Sequence, residues 1–211
     1  MAAAELPAPA GPPASPPLAE RPAGTVERAD PPVAPAAPRI DRARDRLTVG
    51  RRSVRTGREP IASALVDRGA KIAVLTGRER TLELYDARTL ERLGSTGAGI
   101  GPTGLATDGA ELLWVTDVKG NALLVFHLRP KFQLIRRVHV PGGPYAIAHD
   151  EEGWGLWIAA AGANRLAEYS AGSRPVLRRT LPMIRDAREV SVHGNEVVVS
   201  GESEVQRLRI R

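Results

Sequence analysis

The stretch GAGIGPTG at residues 97–104 holds Gly99-x-Gly101-x-x-Gly104, a glycine spacing that lets a backbone approach a pyrophosphate at the start of a helix. That chemistry needs the helix to follow at once. Here the next residues read LATDGAELLWVTD, with a turn signal at Asp108-Gly109, a short apolar strand from Leu112 to Thr116, and Pro102 inside the loop itself. The glycines are expected to connect two strands, and no cofactor is expected.

Other reactive types are sparse. Asp67, Asp108, Asp150 and His193 stand at equivalent places before the glycine of a first hairpin, so symmetry could gather them around a cation. Asp before Gly is ordinary turn chemistry, however, and no metal site is expected. His127, His139 and His149 lack HxH or HExxH spacing, no serine sits in GxSxG, and the chain has no cysteine for a thiol nucleophile, thiolate ligand or disulfide. No catalytic residue is assigned.

The elements that carry these residues repeat every forty-odd positions from residue 46 onward. Each unit opens on a Gly/Pro turn (TGREP, GIGP, PGGP). A strand then leads to a second turn: LVDRG, LATDG, IAHDEEG and VSVHG. An apolar strand follows (KIAVLT, ELLWVT, GLWIAA, EVVVS), and then a third strand: TLELYD, ALLVFH, RLAEYS, VQRLRI. Tyr85, Phe126, Tyr169 and Ile210 are matched across the third strands. Fourth strands are RTLERLG (88–94), QLIRRVHV and VLRRTLP, the last two with an arginine doublet, and the fourth unit lacks one of its own.

RLTVGRRSV (46–54) shares the doublet, so an N-terminal strand is expected to complete the last unit. The fold expected is an all-β propeller of about four four-stranded blades: 57–97, 98–140, 141–184, and 185–211 plus 46–54. Trp114 and Trp157 are expected between blades. Residues 1–45 are expected to be a disordered Ala/Pro/Arg-rich tail, with few large apolar side chains to offset the entropy of ordering.

The formal charge of +6 is concentrated after that tail, and arginine is densest from Arg39 to Arg58. Asp41 and Asp45 interrupt the run and no aromatic side chains interleave, so a nucleic-acid partner is not expected. The sequence holds no apolar run long enough for a membrane span, and MAAAELPAPAGPP lacks the basic end and apolar middle of a secretory signal. The compartment is left open.

GPTGLATDGAELLWVTDVKGNALLVF (101–126) resembles the YVTN β-propeller repeat, and NHL-type propellers more loosely, in its turn, its Asp-Gly hairpin and its WVTD strand end. GPYAIAHDEEGWGLWIAAAGANRLAEY (143–169) is similar but has Ala159-Ala160 where that repeat favours Thr and Asn. The resemblance covers residues 46–211. It implies the fold and a non-catalytic binding or scaffold role. Members of the family are often exported and commonly have more blades, so this chain could be a portion of a larger propeller. An incomplete ring would expose an apolar blade face and self-associate.

In such a fold the loops between blades and the turns between second and third strands share one face. Arg58, Arg78, Asp117, Asn121, Asn164, Arg165 and Arg185 fall there and form the candidate ligand site, for an unknown protein or a small anionic ligand. The same positions suit solvent-exposed hairpin turns. The alternative function is a propeller enzyme, since some lactonases and the virginiamycin B lyase have a similar GP-x-x-I-A-x-D rhythm. His149 and Glu168 would then be the acid and base.

Overall fold

The computed structural model describes residues 15–16, 23–28 and 38–210, with the side chains of 26–28 left aside. Within them the chain is antiparallel β-structure in five sheets. The expected disorder of the tail falls outside the described residues for 1–14, 17–22 and 29–37.

The first sheet has three strands, β2 (Arg39–Asp41), β3 (Arg46–Val49) and β4 (Arg52–Arg55). Three four-stranded sheets follow in chain order. The second blade is β5 (Pro60–Val66), β6 (Lys71–Thr76), β7 (Thr81–Asp86) and β8 (Arg92–Gly97). The third is β9 (Pro102–Thr107), β10 (Leu112–Asp117), β11 (Ala122–His127) and β12 (Gln133–His139). The fourth is β13 (Pro144–Asp150), β14 (Gly155–Ala160), β15 (Arg165–Ser170) and β16 (Leu177–Pro182).

The fifth blade is β17 (Glu189–His193), β18 (Glu196–Ser200) and β19 (Glu204–Arg209), completed on its outer edge by β1 (Thr25–Arg28). An N-terminal strand does complete the last blade, but from a different segment. Thr25–Arg28 pairs antiparallel with β19, whereas residues 46–54 build the extra blade at the opposite end. Position explains the choice. Leu47 and Val54 pair with each other and Leu47 is fully buried against Ile72, Val74 and Tyr85 of the second blade.

The blades stack through their faces, and the innermost strands pack in the order β2, β5, β9, β13, β17. Four apolar cores fill the four junctions between the five blades. Tyr85, Phe126 and Tyr169 each face the preceding blade, as their repetition requires. In the fifth blade that place belongs to Leu208, which pairs with Val197, while Ile210 packs on the margin of the same core.

Trp114 and Trp157 are both 1% exposed. Trp114 donates its indole N–H to the carbonyl of Gly172, in the hairpin joining the third and fourth strands of the next blade, at 3.1 Å. Trp157 holds the equivalent position one blade on, and its Nε1 has no acceptor. The reason is topological. The outer strand of the fifth blade comes from residues 25–28, so no hairpin crosses from β19 to it.

Among the described residues no apolar core joins the fifth blade to the first. The two end faces that result are polar, contrary to the expected apolar one. On the first blade the period of two puts Arg39, Thr48 and Ser53 in one row and Asp41, Arg46 and Arg55 in the next. On the fifth, Ser191 and Arg207 flank Val198, and His193, Glu196 and Arg209 lie beside them. Arg207 and Glu196 pair at 3.2 Å. Such faces behave like the polar caps of a stacked repeat array, where burial is needed on one side only.

Candidate functional site

The inter-blade linkers 56–59, 98–101, 140–143 and 183–188 and the turns 77–80, 118–121 and 161–164 converge on one face of the blade array. Backbone bonds stitch each turn to the linkers on either side. Gly77, Val118 and Ala161 donate to the carbonyls of Glu59, Gly101 and Gly143, at 2.8, 2.8 and 3.2 Å. Ala98, Val140 and Met183 donate in turn to those of Arg80, Asn121 and Asn164, at 2.8, 2.8 and 3.0 Å. Arg80, Asn121 and Asn164 all hold left-handed backbone, which suits asparagine.

The glycine loop is filled from within. Asp117, fully buried at the end of β10, accepts the N–H groups of Gly101 at 2.8 Å, Gly120 at 3.0 Å and Ile100 at 3.2 Å. Arg137 lies 3.5 Å from Oδ2, the oxygen that Ile100 also meets. A Cβ at Gly99 would collide with that carboxylate, and one at Gly101 would lie 2.7 Å from Lys119 Cγ. Gly99 is required because a carboxylate of the protein itself occupies the backbone cradle, and Gly101 and Gly104 because Lys119 and Thr116 pack against them. The expectation of a strand-to-strand connection holds, and its physical content is an internal anion.

The other site candidates are likewise engaged in the fold. Asn121 accepts the Gly143 N–H at 3.0 Å. Arg58 lies 3.6 Å from Glu79, and Arg188 lies 3.1 Å from Glu202. Arg185 reaches the carbonyl of Ser15 at 3.4 Å, and Asn164 donates to that of Pro16 at 2.7 Å. Arg78 and Arg165 also have partners. The seven residues share the face, but they are distributed over successive blades, each serving its own junction.

The equivalent residues at first-hairpin turns are not gathered either. Asp67 is held by Arg129 at 2.6 Å and Lys71 at 2.8 Å, and their bonds keep its carboxyl below the usual range. Asp108 accepts the N–H groups of Ala110 and Leu112, and Asp150 that of Gly153. His193 meets Ser191 at 3.1 Å. No cluster suited to a metal ion occurs among the described residues.

His149 and Glu168 lie on opposite faces of the fourth blade. His149 pairs with Leu156, whose side chain enters the core shared with the third blade, and its ring lies 5.2 Å from that of Trp114. Glu168 pairs with Trp157, which faces the fifth blade, and is clamped by Arg178 at 3.1 Å and Arg179 at 2.6 Å. A sheet separates the proposed acid from the proposed base. Burial also pushes the His149 imidazole below its ordinary pKa.

Three features, two of them buried, had gone unassigned. Glu83, 1% exposed, accepts the Gly57 N–H at 3.0 Å and the Tyr85 hydroxyl at 2.7 Å and pairs with Arg92 at 3.1 Å. Burial, then this carboxylate, raises the Tyr85 pKa. Gln206 is fully buried: it accepts the Ile184 N–H at 3.0 Å and donates to the carbonyls of Ala23 and Pro182. Its signal was in the alternation of VQRLRI, where a polar side chain falls in phase with Leu208. Ser15-Pro16, docked on the loop face, carried no signal, since nothing in an Ala/Pro tract marks one dipeptide.

No helix among the described residues is long and apolar enough to cross a membrane. No family model matches the chain, and no curated protein sequence matches it. Solved structures do. Hydrazine synthase of Kuenenia stuttgartiensis is similar over 72% of this chain and 46% of that one, at 19% identity and a TM-score of 0.64. A chain of the mitotic checkpoint complex is similar over 75% and 53%, at 10% identity and 0.67. The β-propeller domain of Cps50 (Swd1) from Myceliophteria thermophila is similar over 72% and 54%, at 16% identity and 0.60. This chain spans about half the length of each of these three. At such identities the likeness establishes the architecture alone: the chain is an all-β propeller array.

Proposed function

We propose that this chain is a non-catalytic β-propeller module of the YVTN type that binds or organises other proteins. One observation carries the reading: the polar groups of the loop face are engaged in holding blades together, and the two candidate acid–base residues are on opposite faces of a sheet. A face built this way offers shape and backbone groups to a partner but no poised proton-transfer pair. The candidate arginines there, Arg58, Arg78, Arg165 and Arg185, already have partners, which weighs against a small anion as the ligand. Propeller chains resembling this one occur in a mitotic checkpoint complex, in keeping with a role in assembly. The WVTD segment supports the YVTN type: Asp117 at its end accepts the N–H of Gly101 in the preceding linker and that of Gly120 in its own turn.

The test is hydrogen exchange on the purified chain with and without a co-purifying protein, alongside turnover assays on lactones and related cyclic esters. Protection of a contiguous face by the protein, with no turnover, is expected. Turnover that disappears in His149→Ala or Glu168→Gln would replace this reading with the enzyme.

A further inference from the structure

Ser15 and Pro16 sit between the 161–164 turn of the fourth blade and the linker into the fifth. The Ser15 hydroxyl donates to the Ala161 carbonyl at 2.9 Å and accepts the Asp186 N–H at 2.9 Å. Donor and acceptor are both used, so the notch reads a hydroxyl. Arg185 reaches the Ser15 carbonyl at 3.4 Å, and Asn164 Nδ2 donates to the Pro16 carbonyl at 2.7 Å.

The corresponding notch one blade earlier is closed by the protein itself. There Asn121 Oδ1 accepts the Gly143 N–H at 3.0 Å, because the linker VPGG folds back onto the turn. In the fourth blade the linker is MIRDA, and its N–H groups go to the Asn164 carbonyl, Gln206 and Ser15. The Asn164 side chain is left for an incoming segment. It is 7% exposed, and its Oδ1 has no hydrogen-bond partner.

The identity of residue 16 accounts for that orphan. In extended backbone the N–H and C=O of one residue point to the same side, so an amide that donates to the carbonyl is placed to accept the same residue's N–H. Pro16 precedes another proline in the sequence, a context that favours extended backbone, but it has no N–H to give. The segment fills the notch without completing it.

We infer that the notch is a docking site for an extended partner segment carrying serine followed by a residue other than proline, and that Ser15-Pro16 occupies it in cis as a placeholder. The inference rests on the reading of the chain as a binding module and names where and what it binds. A partner segment with an N–H at the second position satisfies both ends of the Asn164 amide and displaces the chain's own dipeptide.

The test uses the full chain carrying Ser15→Ala, which weakens the cis occupant, titrated by fluorescence anisotropy with labelled peptides. The chain's own AGPPASPPLAE is compared with AGPPASAPLAE and AGPPAAAPLAE. The second should bind about tenfold tighter than the first, since a buried acceptor gains its donor, and the third should lose about as much again. Asn164→Gly, which tolerates the left-handed backbone, should erase the preference for alanine over proline. Equal binding of the first two peptides, a preference that survives Asn164→Gly, or no binding of any peptide overturns the site. If a co-purifying protein then protects another face, the binding-module reading stands and this notch alone is removed.

Discussion

The Asp117 carboxylate lies 2.8 Å from the Gly101 N–H and occupies the concave backbone that the glycine spacing creates. Successive N–H groups in such a loop form a cradle for negative charge, whatever its source. The protein supplies the charge from the end of its own β10 strand.

Asp117→Ala should therefore destabilise the chain by about 2–4 kcal/mol, because the N–H groups of Gly101 and Gly120 lose a charged acceptor in a buried place. Denaturant unfolding measures it. Added pyrophosphate should leave the stability of the unaltered chain unchanged, and a rise in melting temperature would contradict the internal-anion account.

The two equivalent tryptophans offer a matched comparison. Trp114→Phe removes a hydrogen bond to Gly172, while Trp157→Phe removes an N–H that has no acceptor. Both lose similar packing, so Trp114→Phe should cost about 1 kcal/mol more. Equal costs in urea melts would mean that the Trp157 indole is satisfied in solution.

His149 provides a test in pH. Its pKa is lowered from 6.5 mainly by burial, against the pull of Glu151, Asp108 and Asp150. The unfolded chain then binds more protons than the folded one between the folded pKa and 6.5, so this contribution to stability falls as pH drops through that window. Melting temperatures between about pH 7.5 and 5.5 should decline less in His149→Phe than in the unaltered chain. An identical slope would assign the decline to other groups.

The polar end faces predict a monomer. Ser191→Leu with Arg207→Leu builds an apolar strip beside Val198 on the open side of the fifth blade. Light scattering should give one chain for the parent and a larger mass for the double variant. Self-association of the parent would point to burial of these faces between copies.

Much of the architecture was legible because repetition reports on itself. The turn, strand and hairpin rhythm placed the second and third strands of the last four blades to within a residue, and the matched aromatics found their junctions, whereas the outer strand expected at RTLERLG (88–94) begins only at Arg92 and runs to Gly97. The extra blade was misplaced for a specific reason: RLTVGRRSV resembles a single outer strand by its arginine doublet, while it folds as the hairpin of β3 and β4, turning at Gly50-Arg51, with Leu47 buried against the neighbouring blade. β1 was invisible because TVER is four residues in a biased tract, held by Gln206 from the far end of the chain. The candidate site was legible as a set of positions but not as a function, since the same asparagine can close its own turn, as Asn121 does, or reach a passing segment, as Asn164 does.

The pairing of β1 with β19 also sets an order of assembly. The bond between Ala23 and Gln206 joins positions 183 apart, so a strand made before all five blades is the last to find its place. Blades one to four can form as they are synthesised, each on the one before, whereas β1 waits unpaired until β19 has been made. During translation it is β1, made before its partner β19, that is most open to pairing with another copy or to a chaperone.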